Sequence, residues 1–143
     1  MTPVDDKKIR IYLATAVFSM LFALLGFSYN VWRMEQTEDN SNIRTACFEM
    51  LVELSAMEQL VFAAHYDQDS VAGNPRTGWV RVGLINDLSA LASPAVQQKT
   101  SRLRQVWEDS WQQIATSRQH ADQVVGSLDD VRAEIKQLLR SLD

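Results

Sequence analysis

Apolar and polar positions divide the chain into distinct regimes, beginning with the run Ile11 to Trp32 (IYLATAVFSMLFALLGFSYNVW), 22 residues without a charge. A helix of that length reaches about 33 Å, which matches a hydrocarbon core of about 30 Å. Arg10 and Arg33 bracket the run, and Tyr12, Tyr29 and Trp32 stand near its ends, where amphipathic rings favour the headgroup zone. A cleavable signal peptide has an apolar stretch of about 7 to 15 residues that closes on a small-x-small pattern. This run is longer and leaves through Gly26-Phe27-Ser28-Tyr29-Asn30. Residues 11–32 therefore read as a single, uncleaved N-terminal transmembrane helix.

Glu35 to Asn42 carries no apolar residue and no Gly or Pro, so residues 33–42 read as a stalk. It either prolongs the helix or breaks near Asn40-Ser41-Asn42, with Ser41 capping a restart. From there Ile43, Cys47, Met50, Leu54, Met57, Val61 and Ala64 alternate steps of four and three, and Phe48, Leu51 and Leu60 widen the stripe. That spacing predicts an amphipathic helix over about 43–66. Gly73, Asn74, Pro75 and Gly78 mark a loop. Val80, Leu84, Leu88 and Leu91 predict a shorter helix over about 79–92, and Ser93-Pro94 is a helix-start pair. Leu103, Trp107, Ser110, Ile114, Ser117, Ala121, Val124, Leu128, Val131, Ile135, Leu138 and Leu142 then step four and three without a slip. The unbroken phase predicts one helix over about 94–142, with Gly126 as the place for a break. The expected fold is all-α: a transmembrane helix followed, over 43–143, by an extramembrane three- or four-helix bundle with coiled-coil-like packing.

Charge gives the expected topology. Lys7, Lys8 and Arg10 precede the apolar run, whereas the part after it holds 11 Lys and Arg against 16 acids, a formal −5. The positive-inside bias makes residues 1–10 a cytoplasmic stub and sends 43–143 into the periplasm or outside the cell, with the anchor in the inner (plasma) membrane. An acidic body without a basic block argues against nucleic acid as a partner. One cysteine cannot form an internal disulfide, so Cys47, on a packing stripe, is a candidate for an intermolecular one in an oxidising compartment.

Candidate chemistry is sparse. His65-Tyr66-Asp67-Gln68-Asp69 is the densest set of donors, but no second cluster accompanies it and His120 lies on another helix, so no metal or cofactor is expected. Glu49, Glu53, Glu108 and Asp109 read as the wet faces of helices, and no nucleophile turn or Gly-rich phosphate loop occurs, so no enzyme is expected. Thr15, Ser19, Ala23 and Gly26 line one face of the span with small side chains, which lets another helix approach in lipid. Trp79, Trp107 and Trp111 are placed to converge, either as core or around a pocket, and Arg76 and Arg81 flank Trp79 beside the Gly/Pro loop as a candidate recognition surface.

The plan of a short stub, one span and a helical body resembles in outline the sensor half of bacterial chemoreceptors and histidine kinases. It also resembles the single-span coiled-coil proteins of the division machinery and the inner-membrane spanins of phages. No diagnostic motif of these families is present, so the likeness is architectural. The expected function is a non-enzymatic membrane-anchored interaction protein, an accessory or scaffolding subunit whose partners are membrane lipid and another membrane protein or a second copy. The alternative is a ligand-binding sensor module of four-helix-bundle type that signals through a separate partner. A sealed core at the tryptophans with an apolar patch outside favours the first; an apolar ligand among them favours the second.

Overall fold

The computed structural model describes residues 3–142, which form four α-helices and no strand: α1 Pro3–His65, α2 Pro75–Ser89, α3 Pro94–Ser110 and α4 Arg118–Ser141. The chain divides into two compact units, Met1–Asp39 and Asn40–Asp143.

In the first unit every residue whose side chain is described lies exposed. Its most apolar window has a mean hydropathy of 2.0, making α1, among the described residues, the one helix long and apolar enough to cross a membrane. Phe18 meets Phe22, and Tyr29 meets Trp32, in tilted ring contacts one turn apart or nearly so. The stalk does not break at Asn40-Ser41-Asn42. α1 runs helical through it, and the hydroxyls of Thr37 and Thr45 fold back onto the carbonyls of Arg33 and Ser41. Ser41 is therefore no helix cap.

In the second unit the predicted stripe of α1 is the one buried: Cys47, Met50, Leu54, Met57, Val61 and Ala64 join Val82 and Ile85 of α2, Val96, Leu103 and Trp107 of α3, and Ala121, Val124, Leu128, Val131 and Ile135 of α4 in one core. Burying an aliphatic side chain contributes about 1.5–3 kcal/mol, so this core is the main source of the unit's stability. Partly buried ion pairs line its edge, Arg81–Glu53 at 2.8 Å and Arg132–Glu58 at 2.6 Å.

Three expectations change. α2 begins at Pro75, four residues before Trp79, because Asn74 accepts a hydrogen bond from the Arg76 amide at 3.0 Å and Pro75 takes the first helical position. What reads as loop chemistry is a helix start.

Second, α2 buries Gly78, Val82, Ile85 and Ser89, whereas of the expected stripe Leu88 is only partly buried and Val80, Leu84 and Leu91 stay exposed. Gly78 and Ser89, beside Val82 and Ile85 on this face, let α2 approach α3 closely. Thr100 donates to Ser89 at 2.9 Å, and Gly78 lies against the Trp107 ring.

Third, residues 94–142 are not one helix broken at Gly126. α3 ends at Ser110, residues 111–117 turn, and α4 starts after Ser117 and packs back on α3. The connection is seven residues long, one heptad, so the stripe keeps its phase across a hairpin and periodicity cannot distinguish the two. Ile114 sits in that turn and is 1% exposed, plugging the core between the helices it joins. The turn's free carbonyls are met from the end of α1: His65 Nδ1 donates to Ile114 O at 2.9 Å and Gln68 Nε2 to Ala115 O at 3.0 Å. Gly126 lies exposed inside an uninterrupted α4.

Candidate functional site

The three tryptophans separate. Trp107 is completely buried and meets Trp79 edge to face, with centroids 6.4 Å apart, in a contact worth about 0.5–1.5 kcal/mol beyond its burial. Gly78, one position before Trp79, is what lets this ring in, since a Cβ there would overlap the indole. The Trp107 Nε1 has no protein partner. Neither ring lines the cleft beside Trp111 or the groove along α1; Trp107 belongs to the core and Trp79 is partly buried against it.

Trp111 is half-buried and lines a different feature, a cleft of about 400 Å³ between the end of α1, the 67–74 loop and the 111–117 turn. Ala64, Ile114, Pro75 and Gly73 form its apolar surface, and Gln68 and Asp69 its polar rim. The loop reaches α1 only because residue 73 is glycine: a Cβ there would stand 2.5 Å from Ala64 Cα, backbone that cannot yield. Gln68 turns the chain in the left-handed region, with φ 52°. Asp69 Oδ1 accepts from the amides of Val71 at 2.8 Å and Ala72 at 3.0 Å. The Ala72 and Val71 amides hold its carboxyl below the usual carboxylate range.

These bonds settle the part played by the His65–Asp69 segment. His65 and Gln68 serve the turn and Asp69 serves its own loop, and no group of three or more His, Cys, Asp or Glu is gathered to hold a metal among the described residues. The expected recognition arginines differ in role: Arg81 is tied to Glu53, whereas Arg76 is exposed at the start of α2.

Cys47 is completely buried in the core, and burial pushes its thiol pKa up. A disulfide to another chain would require α1 to leave the core first, so the residue acts as a small apolar side chain. In the apolar stretch of α1, Thr15, Ser19, Ala23 and Gly26 are all exposed, and the Thr15 hydroxyl is already bonded to Ile11 O at 2.9 Å.

The feature the sequence reading misses lies on the far side of α1. Phe48 does not widen the core stripe; it is 57% exposed, and with Val52 at 63%, Phe62 at 39% and Tyr66 at 57% it forms an outward apolar series. Ser55 and Gln59 fill the intervening steps, giving 48, 52, 55, 59, 62 and 66, again four and three. Phe48, Leu51, Val52, Ser55, Ala56 and Gln59 line a shallow apolar groove along this face. Exposed apolar groups in a continuous row mark interaction sites, whereas isolated ones mark nothing. The second four-three series is the signal that could have found it.

Compared with known proteins, the chain matches no family model, no curated protein and no solved structure.

Proposed function

We propose that the chain is a non-enzymatic, single-pass membrane-anchored interaction protein, an accessory or scaffolding subunit of a membrane complex. Residues 11–32 cross the inner (plasma) membrane from a cytoplasmic stub, and a four-helix bundle with coiled-coil-like packing occupies the periplasmic or extracellular side. The observation that carries this reading is the pairing of a core that buries Trp107 with apolar side chains left on the outside: Phe48, Val52 and Phe62 on α1 with Tyr66 just past its end, and Val80 and Leu84 on α2 with Leu91 just past its end. Core residues are spent on stability, and the outer rows offer surface to another helix. The exposed apolar segment of α1, bracketed by Arg10 and Arg33, supports anchorage, and the basic Lys7, Lys8 and Arg10 support the orientation.

Extraction of native membranes with alkaline carbonate, together with an export-dependent reporter fused after Asp143, tests both parts. The protein is expected in the pellet and the reporter active. Release into the supernatant overturns the anchor, and activity of a cytoplasm-only reporter in that position overturns the orientation.

One observation favours the sensor alternative: the cleft at Trp111 has the volume of a small-ligand site and an apolar floor. Under that reading a small apolar ligand raises the melting temperature of the parent and not of Trp111→Ala.

A further inference from the structure

We infer that the outward row of α1 is the contact between two copies of this chain, which pair in parallel through Phe48, Val52, Ser55, Gln59, Phe62 and Tyr66. The inference rests on the membrane-anchor reading, and it names the partner of the surface that reading relies on. Three features of the row favour a second copy over an unrelated protein.

The first is charge. An isologous interface sets each residue near its own image, so a like charge on the axis repels itself. None of the six positions is charged. Of the acids beside the row, Glu58 is turned onto Arg132 and Glu53 onto Arg81, while Glu49 is exposed on the flank, off the axis.

The second is register. In a heptad frame 48, 55 and 62 occupy one core position and 52, 59 and 66 the other, the latter being the position where one polar residue fixes a parallel register. Gln59 is that residue. Its amide both donates and accepts, so it bonds to its own image only when the two helices are in step.

The third is area. The exposed parts of Phe48, Phe62 and Tyr66 come to roughly 300 Å² a copy, taking about 200 Å² for an aromatic side chain. Val52, Leu51, Ser55 and Gln59 bring the face to roughly 400–500 Å², and the pair to the lower edge of specific interfaces, about 1,000 Å². A contact of that size is weak between free chains. It becomes sufficient when both copies are held in one membrane, because tethering raises the effective concentration toward about the millimolar range and sets both helices pointing the same way.

Site-directed crosslinking of the full-length chain in native membranes is the test. In a Cys47→Ala background, Ser55→Cys is expected to give a band of twice the chain's mass on mild oxidation, whereas Leu84→Cys, on the exposed face of α2, is not. Adding Phe48→Glu and Phe62→Glu to the Ser55→Cys chain is expected to lower the dimer band at least tenfold, with helicity unchanged because both positions face water. Absence of the band from protein that sediments with carbonate-washed membranes overturns the pairing and leaves the anchor intact. Equal crosslinking through Leu84→Cys, or a Ser55→Cys product of any other mass, overturns it in favour of a different interface or a different partner. Protein found in the soluble fraction overturns the anchor itself, and with it the tether on which the pair depends.

Discussion

Adding one methyl group to α2, at Gly78 or at Gly83, is expected to shift stability in opposite directions. Both glycines lie inside the helix, so each exchange for alanine gains about 0.5–1 kcal/mol of helix propensity. At Gly83 no atom stands within 4 Å of the new Cβ, and the gain is kept. At Gly78 the Cβ would lie 2.6 Å from Trp107 Cη2 and nearer still to Cζ2. That is about 1 Å inside the optimal carbon–carbon separation of about 3.5–4.0 Å. The indole has nowhere to retreat: Trp107 is 0% exposed and its ring is held edge to face by Trp79. Overpacking of a dense interior costs about 1–3 kcal/mol, and an overlap this deep with an immobile ring falls at the upper end. After the propensity gain, Gly78→Ala should lose about 2 kcal/mol and Gly83→Ala gain about 0.5–1.

For a domain of this size, 1 kcal/mol moves the melting temperature by about 4–8 °C. Far-ultraviolet circular dichroism of the Asn40–Asp143 segment should therefore place Gly78→Ala roughly 8–16 °C below the parent and Gly83→Ala a few degrees above it. Trp107→Phe, which removes the part of the ring nearest Gly78, should recover some of the Gly78→Ala loss when the two are combined, the sign of direct coupling. Equal midpoints for the two alanine variants, or strict additivity of Gly78→Ala with Trp107→Phe, would mean that α2 does not press on this ring.

Two further outcomes depend on protonation. Cys47 is buried with its thiol pKa raised, so a water-soluble disulfide reagent should label the native chain at least about a hundredfold more slowly than the denatured one. Because the unfolded thiol ionises first, the stabilisation linked to Cys47 is complete below the ordinary thiol pKa and is lost as pH rises beyond it; prompt native labelling would put Cys47 at the surface. Asp69 is the opposite case, its carboxyl depressed by the amides of Ala72 and Val71. Its contribution to the loop is present above the ordinary carboxylate pKa and lost as pH falls through the folded value, so carbon NMR should find a midpoint below that of an unstructured aspartate; one at or above it contradicts the capping geometry.

The helical class, the long apolar helix and the buried face of α1 are legible in the sequence because each rests on many residues. The stripe predicts Ile43, Cys47, Met50, Leu54, Met57, Val61 and Ala64 inside, and all are buried but Ile43, which is partly so. Features that turn on one contact are not legible in the same way. The Ser110–Arg118 hairpin hides because its turn is one heptad long and contains neither Gly nor Pro; the bonds that replace such a signal come from His65 and Gln68, far away in sequence. The α2 face reverses for a related reason. Leu84 and Leu91 stay outside while Val82 and Ile85 supply the apolar contacts of the inner face, which at Trp107 has room only for Gly78. The tryptophans were expected together, and Trp111 parts from the others because the helix carrying Trp107 ends at Ser110.

α1 shows most directly how periodicity can identify a helix and still leave its faces undecided. Both of its series step four and three, so the pattern alone would allow either to face the core. What separates them is shape. The inner series is aliphatic, sulfur-bearing or small, side chains that interdigitate among three other helices, whereas the outer series sets rings at Phe48, Phe62 and Tyr66 around Ser55 and Gln59. A core closed around Gln59 would strand an amide away from water, at a cost of about 1–3 kcal/mol unless it found a partner. At the axis of a pair the same residue meets its own image and is satisfied. The aromatic rings and the central glutamine therefore conflict in a monomer's interior and agree in the proposed pair, which is why the row lies outside the core.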